Sequence, residues 1–323
     1  PAVLVAAATG RGRMGAGKGA GGDASAVALK AGVKEGCHRG VLDHSGVPDT
    51  PAECVAAMLK EALKMGTVED VKAKVADALA VIGGLDTYLD ECSTPPPPAC
   101  QALIDASFDH PWEEAHAAGK TMFPLKREMC AGMLEGRFMR MMCHMARAKN
   151  VLEVGMFTGT SALAMAEVLP DGGKVVTLEL DPYLAELAKP YYERAGVADK
   201  IDVRIGAAQK TLDELVEARE QFDVAFIDAD KPSYLGYFRT IMDGNLLAPH
   251  GVLVVDNTLF KGRVYAPGSE EVAENANVKA IREFNEAVMA DPRVEVVMLP
   301  FRDGVSLIRR VPPSVEGRDE VFA

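Results

Sequence analysis

From about residue 150 onward, short apolar runs alternate with longer amphipathic stretches, and nothing else in the sequence restricts the fold as much. The runs lie at 151–154, 175–180, 201–205, 224–227, 252–255, 294–299 and 305–308. Each has the length of a strand, and helix-like segments separate most of them. Strands that alternate with helices specify a parallel sheet covered on both faces. The last two runs flank Pro300-Phe301-Arg302-Asp303-Gly304. A hairpin is expected there, giving the sheet one antiparallel strand. The fold class read from this pattern is α/β: a doubly wound, mostly parallel, seven-stranded sheet. No internal repeat is present.

In an open α/β sheet, ligands bind beyond the carboxyl ends of the strands. Three runs end in polar groups. They are Val151-Leu152-Glu153-Val154-Gly155-Met156-Phe157-Thr158-Gly159-Thr160-Ser161, Phe226-Ile227-Asp228-Ala229-Asp230-Lys231 and Val254-Val255-Asp256-Asn257-Thr258. Together they are expected to gather a nucleotide-like cofactor, a metal and a base in one cleft.

The first run ends in Glu153-x-Gly155-x-x-x-Gly159. A dinucleotide fold would carry G-x-G-x-x-G at this point, with the pyrophosphate on the helix end. The acid beside the loop suits a cationic amino-acid moiety better. Glu179 ends the second strand, where a carboxylate can accept both ribose hydroxyls. After the third strand, Gly206-Ala207-Ala208-Gln209 allows an adenine to lie against the loop, with Gln209 in reach of its edge.

Asp228, Asp256 and Asn257 form an all-oxygen donor set on neighbouring strand ends. Such a set suits Mg²⁺, Mn²⁺ or Ca²⁺ rather than zinc. Lys231 follows Asp228 by one short turn, and beside a cation it is expected to serve as a general base. Asp230 reads as a turn acid.

The formal net charge of −12 argues against a nucleic-acid-binding face. No apolar run is long enough to span a bilayer, and the opening Pro1–Ala8 stretch lacks the basic start of a secretory signal. Six cysteines without a C-x-x-C pair are expected to be reduced thiols in a cytoplasmic protein. The sequence does not begin with Met, so a processed form or a piece of a longer polypeptide is expected. Residues 1–48 read as a Gly/Ala-rich arm. Within it, Gly12-Arg13-Met14-Gly15-Ala16-Gly17-Lys18-Gly19 half-matches a phosphate loop, but Gly19 replaces the Mg²⁺-binding hydroxyl.

Residues 49–124 read as a helical extension. Thr50-Pro51-Ala52-Glu53 has a capping-box pattern opening a helix that ends near Gly66. Thr67 opens a second, with Val68, Val71, Val75, Ala78, Leu79 and Ile82 at helical spacing and Gly83-Gly84 as its end. Prolines 95–98 are a stiff break before a helix over 99–108. Residues 125–149 predict one long helix whose methionines fill core and interface. The main domain is 125–312, followed by a tail, 313–323.

Residues 125–310 resemble the cation-dependent, S-adenosylmethionine-using O-methyltransferases of the caffeoyl-CoA and catechol type. The matching pieces are Leu134-Glu135-Gly136, 152–159, Ile227-Asp228-Ala229-Asp230-Lys231, Asp256-Asn257-Thr258-Leu259 and 303–310. The resemblance implies the Rossmann-like class I methyltransferase fold and a homodimer. It also implies that Glu153, Gly155, Phe157, Gly159, Ser161, Glu179, Ala208, Gln209 and Asp228 line the methyl donor, with Glu135 near its amino group. Asp228, Asp256 and Asn257 become the metal ligands, and Lys231 the base. The chain departs from plant members at Ala131 (Thr there), at Phe260 (often Trp) and in the segment 113–126, which replaces a shorter link.

A finer similarity runs through 84–95, 153–159 and 161–167 to the O-methyltransferases of the mycosporine and gadusol pathway. It implies a cyclohexenone enediol, demethyl-4-deoxygadusol, as acceptor, and makes residues 1–48 the join to an upstream enzyme in a fused protein. A caffeoyl-CoA or catechol acceptor is the alternative, since both present a vicinal chelating pair. A nicotinamide-dependent oxidoreductase on a similar sheet and an inactive donor-binding scaffold are the remaining readings.

Overall fold

The structure is a computed structural model that describes residues 51–266 and 274–311. Its seven strands are β1 (Asn150–Val154), β2 (Lys174–Glu179), β3 (Ile201–Ile205), β4 (Phe222–Ile227), β5 (Leu247–Val255), β6 (Val294–Leu299) and β7 (Val305–Arg310). They form one sheet in the order β3-β2-β1-β4-β5-β7-β6. β1 to β5 run parallel, and β7 is antiparallel to both its neighbours. The expected hairpin and its single reversed strand are both present. The chain winds outward from β1 to β3, then returns across β1 to β4. The crevice of such a sheet opens at that reversal.

The central strands are apolar runs because helices cover both faces. Successive side chains alternate between the faces. Val151, Phe226 and Val254 enter a core with Leu103, Trp112, Met139, Leu163 and Leu184. Leu152, Ile227 and Val255 enter a second core with Leu212, Phe238 and Phe284. The first face carries α4 (Pro98–Asp109), α5 (Trp112–Ala117), α6 (Gly132–Met145), α7 (Thr160–Ala166) and α8 (Pro182–Ala195). The second carries α9 (Ala208–Glu217), α10 (Tyr234–Asp243) and α11 (Ala276–Ala290). Asp181 caps α8 by accepting the Tyr183 N–H, with Pro182 at the first helical position.

Ahead of these lie α1 (Pro51–Ala62), α2 (Val68–Gly83) and α3 (Leu85–Glu91). Thr67 caps α2, as its sequence requires. Helix α1 stops at Ala62, short of Gly66. Gly84 keeps helical dihedrals, so the Gly pair links α2 to α3. Of the apolar row on α2, Ala78 is buried, while Val68, Leu79 and Ile82 are exposed. The row has little to cover because α2 packs on α1 and α3 rather than on the sheet.

Two further expectations need correction, a helix start and a strand start. The helix foreseen over 125–149 begins at Gly132: Arg127–Met129 is a single 3-10 turn, Cys130 is extended, and Gly132 has a φ of 70°. Such dihedrals interrupt helical hydrogen bonding. Of the methionines in this stretch, Met139 and Met142 are buried and Met129, Met141 and Met145 are exposed. Finally, β5 begins at Leu247, before Pro249-His250-Gly251, and its register against β4 shifts there. Helices α4 and α5, assigned from sequence to an extension, share the core of β1 and α7.

The arm 1–48 with its half phosphate loop, Thr50 of the capping box and the tail 313–323 lie outside the described residues. Among the described residues, Cys92, Cys100, Cys130 and Cys143 are free thiols, and no helix is long and apolar enough to cross a membrane.

Candidate active site

The turn after β1 is built by close approach. Gly155 has a φ of 97°, and a Cβ there would lie 2.0 Å from the Asp228 carbonyl oxygen. The Asp228 N–H donates to the Val154 carbonyl at 3.0 Å. The first two motifs therefore touch backbone to backbone. Gly159, with a φ of 77°, leads into α7, and a Cβ there would meet the Tyr192 hydroxyl at 1.8 Å. Ser161 is buried in the first turn of α7.

Glu153 is fully buried beneath this turn and accepts a hydrogen bond from the Thr177 hydroxyl. Its Oε1 has no hydrogen-bond partner. Burial pushes its carboxyl up to about 8, against the pull of Ser161 and Thr177. Glu179 accepts the N–H groups of Phe157 (2.9 Å), Leu180 (2.7 Å) and Asp181 (2.9 Å). Burial raises its pKa despite those donors. Both strand-end acids thus flank the glycine turn, one held by three amides and one with an acceptor atom free. That pattern fits an amine and a diol on one bound molecule.

Gly206, with a φ of 142°, ends β3 with open space where a side chain would stand. Ala208 opens α9. The Gln209 amide is committed elsewhere than the sequence suggested, donating to Asp213 (2.9 Å) and Thr240 (2.8 Å). Phe157 sits at a φ of 50°, and its ring packs 5.1 Å from that of Trp112.

The acidic cluster forms where β4 and β5 end in register. Ile227 pairs with Val255, and the Asp256 N–H donates to the Ile227 carbonyl at 3.0 Å. Asp256 is buried, its Oδ1 has no hydrogen-bond partner, and its carboxyl is pushed up to about 7 by burial and then by Asp228. Glu135, in the first turn of α6, is pushed up to about 9 by burial, Asp256 and Asp228. A cluster in which Asp228 raises Asp256, and both raise Glu135, wants a cation among its members. Lys231 supplies part of that charge, with its Nζ 3.1 Å from Asp228 and 2.6 Å from the Tyr234 hydroxyl.

Asn257 occupies the left-handed region, φ 58°, and its amide lies 3.4 Å from Asp303. The N–H groups of Thr258 and Leu259 donate to the carbonyls of Gly304 and Asp303 at 2.9 Å. This ties the third motif to the β6–β7 turn. Among the described residues, no three His, Cys, Asp or Glu side chains enclose a point by themselves. Asn257 would therefore have to complete a set begun by Asp228 and Asp256. The unpartnered Asp256 oxygen and the raised carboxyls of Asp256 and Glu135 fit a hard divalent ion.

Sequence reasoning missed several groups. Trp112 backs Phe157, Ser107 bonds the Thr158 hydroxyl at 2.8 Å, and Asp181 accepts the Met122 N–H at 2.7 Å. Asp303 braces Asn257. Only Asp303 carried a signal, the Asp-Gly turn between two strands.

The sequence model of the O-methyltransferase family matches residues 114–311. The chain belongs to that family. It is 37% identical over 234 residues to a caffeoyl-CoA O-methyltransferase of Eucalyptus gunnii, covering 71% of this chain and 88% of the relative. It is 38% identical over 231 residues to that of Mesembryanthemum crystallinum, covering 69% and 85%. Among solved structures, the SAH-bound Podospora anserina methyltransferase PaMTH1 superposes with a TM-score of 0.59 at 29% identity, covering 72% of this chain and 95% of that one. An O-methyltransferase from Bacillus cereus in complex with SAH gives 0.57 at 28%, covering 71% and 97%. This methyltransferase is therefore an S-adenosylmethionine-dependent enzyme of the caffeoyl-CoA type on the class I, Rossmann-like fold. The oxidoreductase reading falls with that finding.

Proposed function

We propose that this O-methyltransferase is divalent-cation-dependent and methylates one oxygen of a vicinal diol, with a catechol of the caffeoyl type as acceptor. The observation that carries this reading is the buried Asp256 oxygen without a hydrogen-bond partner, beside Asp228 and Glu135 in a cluster short of positive charge. Asp228, Asp256 and Asn257 would hold the cation. When bound, it supplies a Lewis acid that favours the ionised acceptor. Lys231, having first released its own proton to solvent, takes the acceptor proton at Nζ, positioned by Asp228 and Tyr234. Glu153 and Glu179 orient the donor from its amine and ribose ends. The acceptor oxygen then displaces the sulfonium in line, gaining the methyl while the C–S bond breaks. Proximity supplies much of the rate. The proposal includes a homodimer and a small-molecule acceptor, with neither nucleic acid nor membrane as partner.

The test is methyl transfer from S-adenosylmethionine to caffeoyl-CoA, caffeate and demethyl-4-deoxygadusol, each with Mg²⁺ or EDTA, read by mass. A one-methyl product on the catechols, lost in EDTA, is expected. Equal rates in EDTA would overturn the cation; exclusive turnover of the enediol would overturn the acceptor. Donor binding without turnover of any of them would favour the scaffold reading.

A further inference from the structure

Helix α3 stands apart from the sheet cores, yet two of its acidic residues, Asp86 and Asp90, reach groups that flank the acidic cluster. Asp86 pairs with Arg302 Nη1 at 3.0 Å, across 216 positions of sequence. Asp90 pairs with Arg137 Nη1 at 3.5 Å. Arg302 precedes Asp303, the residue that braces Asn257, and its charge is felt at Glu135. Arg137 lies two residues beyond Glu135 on α6 and is largely buried. The two anchors are themselves joined, because Phe138 of α6 and Phe301 of the turn pack with ring centroids 4.9 Å apart. Arg302 also has a φ of 50°, a region that glycine enters freely and arginine does not. The chain thus places a strained, long cation where the turn itself calls for glycine.

We propose that α3 is a strap across the acceptor side of the site, and that Arg302 is a positioning residue which latches it through Asp86. This rests on the reading that the acceptor binds at the Asp228–Asp256–Asn257 cluster. The strap walls the acceptor rather than the donor, since both anchors belong to elements that bear on that cluster. The Asp86–Arg302 pair is solvent-accessible on both sides. An ion pair of that kind is weak enough to open and close during turnover.

The informative variant is Arg302→Gly, which removes the latch and relieves the backbone, so that it folds at least as well as the parent chain. Its KM for the catechol is expected to rise about threefold, the scale of one exposed ion pair. Its KM for S-adenosylmethionine stays unchanged. Asp86→Asn should reproduce the shift, and the exchanged pair Asp86→Arg with Arg302→Asp should restore the parent KM. Amide hydrogen exchange over residues 85–91 reads the latch without any turnover: faster exchange in Arg302→Gly than in the parent is expected. Unchanged exchange there would overturn the latch whether or not catechols are substrates. Faster exchange with an unchanged catechol KM would overturn the strap's role at the acceptor. Failure of the parent chain to methylate catechols, with faster exchange in the variant, would count against the acceptor reading and leave the latch standing.

Discussion

Gly155 shows how one residue can carry a site. Its missing side chain lets the β1 turn lie against the β4 end, where a Cβ would sit 2.0 Å from the Asp228 carbonyl oxygen. That contact is backbone on backbone, so no rotamer change relieves it. Gly155→Ala is expected to cost about 3 kcal/mol in denaturant unfolding, with donor binding lost alongside. Asp256 makes a prediction of another kind. Its carboxyl and that of Glu135 are raised in the fold, to about 7 and about 9. A raised acid keeps more protons folded than unfolded, so stability falls as pH rises from the unfolded value towards the folded one. The cation-free protein should therefore lose melting temperature between about pH 5 and pH 9. Mg²⁺ should restore it by an increment that grows with pH, because the ion binds the ionised carboxylates. Thermal scans across that range with Mg²⁺ or EDTA check this. Glu153, raised to about 8 chiefly by its burial, contributes a further decline that Mg²⁺ relieves only in the part due to Asp228. Lys231→Ala should cut turnover at least a hundredfold, the lower range for a lost general base, with donor affinity kept. Single-turnover rates and calorimetry separate the two.

At the scale of elements, the sheet was legible and its cover was less so. All seven strands stand where the apolar runs lie: the central ones, buried on both faces, have to be apolar throughout, while the edge strands β3 and β6 keep Asp202, Arg204 and Glu295 among their apolar residues. The long helix over 125–149 was misread for a local reason: no helix-breaking residue precedes Gly132, and the extended Cys130 follows from its burial beside Thr160. The late start sets Glu135 in the first turn of α6. Helices α4 and α5 look like an appendage in sequence but are core in space. Trp112 is buried against Phe157 and donates its indole N–H to the Ser107 carbonyl at 2.9 Å. Trp112→Ala should destabilise the protein by about 3–5 kcal/mol. It should also weaken donor binding, because Phe157 and Thr158 lose their backing. Urea unfolding and calorimetric titration of the donor test both effects.

Across the whole molecule, the exposed Met141 and Met145 on α6 and Val297 and Met298 on the edge strand β6 are apolar surface available for the proposed homodimer. Light scattering should return twice the 34.4 kDa chain mass; a monomer at micromolar concentration would overturn it. The sequence by itself determined the α/β class, the order of strands along the chain, and the three strand ends that carry Glu153, Asp228 and Asp256. Those features are local, written in hydrophobic period and in the glycines and acids that close each run. The tertiary structure alone decided that Gln209 turns to Asp213 and Thr240, that Trp112 backs Phe157, and that Asp86 meets Arg302. It alone also set the raised carboxyls of the cluster. Each of these depends on which distant segments share a neighbourhood and how much water remains there, and residue spacing along a chain does not encode either.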